Sequence, residues 1–213
     1  FAPDSLAFSH ALSSPKVAAQ FGFDTYTFPT MFLPNTYEMY WNYSVDQVFG
    51  RMAKEYKKFW NKERREKAQQ MNLTQSEVTI LASIVKAETN RRDEAPQIAG
   101  VYVNRLKKGM PLQADPTLVF ALGDFGIRRV LNAHKKIDSP YNTYMYKGLP
   151  PGPINIPELH YIDAVLNYAR HSYYYFCAKE DFSGYSSFAK TYNDHLANAR
   201  RYQRALSRRG IFK

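Results

Sequence analysis

From residue 110 to residue 157 the chain is crowded with residues that break regular structure: Pro111, Pro116, Pro140, Pro150, Pro151, Pro153 and Pro157, interleaved with Gly123, Gly126, Gly148 and Gly152. Proline lacks a backbone donor and glycine lacks conformational restraint, so this stretch predicts turns and loops in place of regular helices. A loop-rich region of such length is uncommon inside a compact domain, and where it occurs it tends to carry function. Helical periodicity precedes it and returns after it.

The rest of the composition fits a packed protein. At 213 residues and 45% hydrophobic content the chain has room for one large domain or two small ones, which excludes intrinsic disorder. Lys plus Arg exceed Asp plus Glu by 29 to 19, a formal charge of +10 that favours anionic surroundings. No nucleic-acid motif accompanies that charge, so no nucleic-acid partner is expected. Aromatic residues make up 15% of the chain, a content suited to sheet faces and to grooves that stack on flat ligands such as sugars. The single cysteine, Cys177, excludes an intrachain disulfide framework and a multi-cysteine zinc site. No apolar run approaches the roughly 20 residues that span a bilayer, and the start at Phe1, Ala2, Pro3, with neither an initiator Met nor a signal-peptide pattern, reads as that of a fragment, so the lack of a span here does not speak against one in the native protein.

Along the chain, residues 1–43 read as turns and short extended pieces, broken by Pro29 and Pro34. Ser44 and Gln47 fit a capping box, and Val48, Met52, Tyr56 and Phe59 follow at helical spacing, with the charged run from Lys62 to Lys67 as the solvated end of that helix. Thr74 and Glu77 form a second capping box, opening a helix at Gln75 that should reach about Thr89. Pro96 suits the first turn of the next helix and Gly109 its end. Beyond Pro157 come another helix, an aromatic hairpin over residues 173–188, and a basic amphipathic helix with Leu196, Ala199, Tyr202 and Leu206 facing inward.

The helix from Gln75 holds the most informative residue. At 100° per residue Val78, Leu81, Ile84 and Val85 share an apolar side, with Thr79, Ser83 and Lys86 opposite. Glu88 falls on the apolar side, in the last turn, where the helix dipole disfavours a carboxylate. A carboxyl so placed should hold its proton near neutral pH, as a general acid must. The alternative is a core Glu paired with Arg91, Arg92 or Arg105.

The loop-rich region offers polar groups in rigid turns, suited to a ligand rich in hydroxyls and amides. Taken with the helices, Ile84-Val85-Lys86-Ala87-Glu88-Thr89, Val103-Asn104-Arg105-Leu106, Leu112-Gln113-Ala114-Asp115-Pro116-Thr117, Tyr141-Asn142-Thr143-Tyr144 and Gly148-Leu149-Pro150-Pro151-Gly152-Pro153-Ile154 resemble, in order and spacing, the YceG-like (MltG) family of endolytic murein transglycosylases. The resemblance is dense from Leu73 to Ile156 and continues through Phe188, Lys190, Thr191, Tyr192 and His195, with a fainter echo at Phe28-Pro29 and Asn35-Thr36-Tyr37.

The expected fold is α+β: a helical catalytic portion packed with a small aromatic-rich antiparallel or mixed sheet. Residues 44–213 would form the catalytic domain, preceded by an extended segment, 1–43, in which the resemblance implies the end of a small LysM-like subdomain. The resemblance further implies that Glu88 is the single catalytic acid and base, although Lys86 stands where family members often carry a second Glu. Gln113, Asn104, Asn142 and Tyr141 would bind N-acetyl groups, while Asp115, Thr117 and Thr143 complete the substrate-binding set, Asp115 and Thr117 by holding the loop in shape. No cofactor or metal is implied. The implied substrate is the peptidoglycan glycan strand, cut between MurNAc and GlcNAc with 1,6-anhydro ends, so that glycan elongation terminates during cell-wall assembly. The implied partners are peptidoglycan synthases (penicillin-binding proteins) and the cell membrane, through an N-terminal anchor that leaves the catalytic domain on the extracytoplasmic side. Two other readings stay open: a muramidase-type hydrolase using Glu88 with Asp115, and a non-catalytic glycan-binding or synthase-scaffolding protein.

Overall fold

The structure, a computed structural model, describes residues 5–127 and 130–210; the reading of Phe1, Ala2 and Pro3 as the start of a fragment lies outside them. The elements are α1 (Ser5–Leu12), α2 (Pro15–Gln20), α3 (Val45–Phe59), α4 (Lys62–Gln70), α5 (Gln75–Glu88), α6 (Ala95–Lys107), α7 (Asp115–Leu122), α8 (Leu159–Leu166), β1 (Tyr175–Ala178), β2 (Ser186–Ala189) and α9 (Tyr192–Arg208), with 3-10 turns at Phe28–Met31 and His134–Lys136. The α+β expectation holds, and the sheet is a single antiparallel hairpin in which Phe176 pairs with Phe188 and Cys177 with Ser187.

Both capping boxes form. Ser44 Oγ accepts from the Gln47 N–H at 3.3 Å while Gln47 Oε1 accepts from the Ser44 N–H at 2.8 Å. Thr74 and Glu77 repeat the exchange at 3.2 and 2.7 Å, so α5 starts at Gln75 as its sequence requires.

The structure departs from the sequence reading in four places. Residues 5–20, read as turns and extended pieces, contain two short helices, because Pro15 occupies a first-turn position where its missing N–H costs nothing and Ser14 caps the end. The charged run does not extend α3: the chain breaks at the fully buried Trp60, and Asn61 accepts from the Arg64 N–H to start α4 as a separate helix. The breaker-rich region contains the helix α7, since Pro116 lies in its first turn and Gly123, at φ 67°, closes it with a left-handed cap. Finally, Thr79 and Ser83 are buried along with every other residue from Val78 to Val85, so α5 has no solvent face over that span.

The reason is that α5 is the central helix, packed by α6, α7 and α8 together. Its polar groups are used internally: Ser83 Oγ donates to Ile80 O at 2.7 Å and accepts the Ile154 N–H at 3.1 Å, pinning the proline-rich loop to the helix. Lys86 reaches Ile156 O at 3.0 Å and Glu158 at 3.1 Å on the same loop. Much of the phenylalanine excess fills the core, where Phe28 and Phe49 meet edge to face at 5.5 Å and Phe8, Phe21 and Phe32 pack around them.

Candidate active site

Where the enclosure of α5 ends after Val85, its last turn delivers Glu88 to the inner end of a groove. Thr89 leaves the helix in an extended conformation and is locked there: its hydroxyl donates to Glu94 at 3.2 Å, and its carbonyl accepts from the Tyr161 hydroxyl at 2.9 Å. Glu88 is largely enclosed but keeps an exposed edge. The Tyr102 hydroxyl, on the neighbouring α6, donates to Glu88 Oε1 at 2.8 Å. Burial pushes the Glu88 carboxyl up to about 7; the Tyr102 bond pulls it down, the Asp115 charge pushes it up, and Arg105 pulls it down.

The arginine pairing left open by the sequence does not occur. Among the described residues no Lys or Arg forms a salt bridge with Glu88. Arg105 instead donates to Tyr174 O at 2.6 Å and Leu112 O at 2.5 Å, and Arg91 donates to Ser183 O at 2.6 Å while lying over the Tyr185 ring. Glu88 Oε1 is oriented by a neutral donor, which leaves the second oxygen to carry the proton.

Two cavities meet at this carboxyl. The larger, about 900 Å³, is lined by polar and aromatic groups including Tyr102, Gln113, Tyr144, Tyr175 and Tyr185. The smaller, about 550 Å³, is walled by Pro116, Val119, Phe120, Phe125 and Ile154. Glu88 and Asp115 line both. The acid therefore stands between two lobes of one cleft, an arrangement that can hold a chain on either side of a reacting bond.

The residues singled out by sequence separate into two groups. Gln113 and Asp115 are exposed on the groove wall. Gln113 has a left-handed backbone, φ 50°, with its N–H held by Thr143 O at 3.0 Å, a costly conformation for a residue with a side chain and one that recurs at working sites. Asp115 accepts a hydrogen bond from the Tyr144 hydroxyl.

The others are framework. Asn142, expected to bind a ligand, is fully buried: its amide donates to Lys135 O at 3.0 Å and Ile137 O at 2.8 Å, and its carbonyl accepts the N–H groups of Tyr144 and Met145. Thr143 and Thr117 are buried against each other at 2.9 Å, and Thr143 also caps the Ala114 N–H. Asn104 points to the far side of α6, donating to His171 O at 2.8 Å and Tyr173 O at 3.0 Å, outside both lobes. Tyr141 packs on Phe120 with ring centres 4.7 Å apart and abuts Gly152, where a Cβ would overlap its hydroxyl and the Tyr26 carbonyl. These four polar residues and Tyr141 hold the groove's walls and do not form its surface.

Sequence reasoning missed Tyr102, Tyr144 and the hairpin tyrosines. Tyr102 sits in the apolar pattern of α6, where its hydroxyl gives no sign of a partner fourteen residues back at Glu88. Tyr175 and Tyr185 reach the groove only because the hairpin folds over α6. Among the described residues no three His, Cys, Asp or Glu side chains gather closely enough to hold a metal ion, and no helix is long and apolar enough to cross a membrane.

A sequence model of the YceG-like family matches residues 5–201. The chain is 41% identical over 122 residues to an endolytic murein transglycosylase of Bacillus subtilis (strain 168), an alignment covering 57% of this chain and 33% of that protein. It is 35% identical over 131 residues to an endolytic murein transglycosylase of Streptococcus pneumoniae serotype 2, covering 60% of this chain and 24% of that one. These alignments thus take in about a third and about a quarter of the two relatives. Among solved structures, a yceG-like protein of Listeria monocytogenes superposes with a TM-score of 0.78 at 26% identity, over 92% of this chain and 67% of that one.

Proposed function

We propose that this chain, which belongs to the YceG-like family, carries the cleavage chemistry of an endolytic murein lytic transglycosylase. The observation that carries the reading is Glu88: a carboxyl raised to about 7, standing between two lobes of a cleft with one oxygen held by Tyr102 and the other free. A second carboxylate is not required if the substrate supplies its own nucleophile.

Glu88 starts protonated. It donates to the glycosidic oxygen joining MurNAc to GlcNAc, and the C1–O4 bond breaks with the proton retained on the departing hydroxyl. Glu88, now a carboxylate, removes the proton from the C6 hydroxyl of the same muramyl residue. The freed O6 attacks C1, closing a 1,6-anhydro ring. One proton enters and one returns, so the acid is regenerated without water. A positive charge developing near C1 is favoured by the Asp115 carboxylate, which borders both lobes.

The position of Asp115 also supports a second reading, hydrolysis of the same bond with Asp115 as the partner of Glu88. Mass spectrometry of the fragments released from purified peptidoglycan separates them: anhydro ends support transglycosylation, reducing ends hydrolysis. The Glu88→Gln protein should bind glycan and release neither; continued cutting would remove Glu88 from the reaction. Action on nascent strands as a terminator of elongation, cooperation with peptidoglycan synthases, and an extracytoplasmic site tethered to the cell membrane through an N-terminal anchor belong to the same proposal and rest on the family resemblance.

A further inference from the structure

The larger lobe is also lined by a cluster that the cleavage reaction leaves unused: Tyr175 on β1 with Tyr192 and His195 at the start of α9. The His195 ring lies nearly parallel to Tyr175, with centres 5.5 Å apart and planes at 25°, and Tyr192 flanks it at 6.1 Å. Two aromatic contacts thus fix the plane of the imidazole. Its two nitrogens differ sharply. Nδ1 is buried and has no hydrogen-bond partner. Nε2 is neither buried nor bonded to protein among the described residues, and His195 lines the groove.

That asymmetry favours one tautomer on physical grounds. A buried N–H without an acceptor is rarer in folded proteins than a buried lone pair without a donor, so the proton belongs on Nε2. Burial and the neighbouring Arg105 both disfavour the imidazolium, keeping the ring neutral near neutral pH. What remains is a rigid, uncharged N–H donor packed on aromatic rings in the wall of a cleft. Uncharged donors beside ring faces suit carbohydrate, whose acceptor oxygens and flat C–H faces they match.

We propose that His195, with Tyr175 and Tyr192, forms a glycan-binding subsite in the larger lobe, in which His195 Nε2 donates to an acceptor oxygen of the sugar chain. The subsite deepens the transglycosylase reading and rests on it.

The test separates this inference from the reading beneath it. In the Glu88→Gln background, binding of peptide-free glycan oligosaccharides long enough to fill the groove is measured by calorimetry. Adding His195→Phe, which keeps the stack and removes the donor, should weaken binding about five- to tenfold, the worth of one hydrogen bond. His195→Gln, which places an amide N–H near the same point, should recover most of that loss. In the active enzyme His195→Phe should raise KM for long strands and leave kcat nearly unchanged, as expected for a contact made equally in ground and transition states. If the Glu88→Gln protein binds glycan but His195→Phe changes nothing, the subsite is refuted while the function stands. If the Glu88→Gln protein binds no glycan, both fall.

Discussion

Glu88 and Asn142 are both polar residues lodged in the interior, yet they are opposites. Asn142 makes four hydrogen bonds to the backbone of its own loop, using both ends of its amide. Glu88 has one hydrogen bond, from Tyr102, at the mouth of two cavities. A fully occupied side chain holds a shape and has nothing left to offer a ligand. A carboxyl with a free oxygen in a confined site is unfavourable for the fold and useful for chemistry. The difference separates framework from site more reliably than polarity or loop position does, and the same criterion sets Gln113, on the groove wall, apart from Thr117 and Thr143, sealed behind it.

The comparison breaks most visibly on activity. Glu88→Gln removes the transferable proton and should lower kcat at least about a thousandfold, or about 4 kcal/mol in activation free energy, read as release of soluble fragments from purified peptidoglycan. Asn142→Ala should act on the other side of the divide. With four partners stranded in a buried loop, it should lower stability by about 2–4 kcal/mol in denaturant unfolding, and whatever protein remains folded should still cleave. An Asn142→Ala protein of normal stability and no activity would place Asn142 among the ligand-binding groups after all.

A third measurement tests the claim that the site is unfavourable for the fold. Glu88 is raised in the folded state to about 7 from 4.5, so between those values the native protein holds a proton that the unfolded chain releases. Stability contributed by the protonated form is complete below about pH 4.5 and is lost as pH rises through 7. Glu88→Gln has no such loss. It should be more stable than the parent at pH 8 by on the order of 1–3 kcal/mol, with the gap closing toward pH 4. Equal stability at both pH values would contradict the strained environment assigned to Glu88.

How much of this was legible beforehand follows from how local each cause is. The Ser44–Gln47 and Thr74–Glu77 boxes, and Gly109 as a terminator, are contained within four or five residues, and all appear as expected. The unusual setting of Glu88 was legible because its cause, a carboxyl on an apolar face at the wrong dipole end, is also local. The proline-rich region misled because proline at a second helical position is compatible with a helix, as Pro116 in α7 shows. Asn104 and Asn142 misled for a different reason: a sequence shows that an amide is present but not which carbonyls surround it. The contacts that complete the site, Tyr102 to Glu88 and Tyr144 to Asp115, join separate elements and leave no trace in periodicity.

The finest test uses those two contacts as opposing levers on one proton. Glu88 must be protonated to begin the reaction, so the rate should fall as pH rises through about 7. The Tyr102 hydrogen bond stabilises the carboxylate, and its removal by Tyr102→Phe should move that alkaline limb upward. The Asp115 charge destabilises the carboxylate, and Asp115→Asn should move the limb downward while keeping an oxygen to accept from the Tyr144 hydroxyl. Each shift should be under about one pH unit, or about 1.4 kcal/mol, and opposite in sign. Shifts in the same direction would mean that the two variants act through a general loosening of the groove. Loss of all cleavage in Asp115→Asn, with reducing ends as the parent's product, would transfer the mechanism to a two-carboxylate hydrolase. Retained cleavage with displaced limbs leaves Glu88 as the one group whose proton the two neighbours tune.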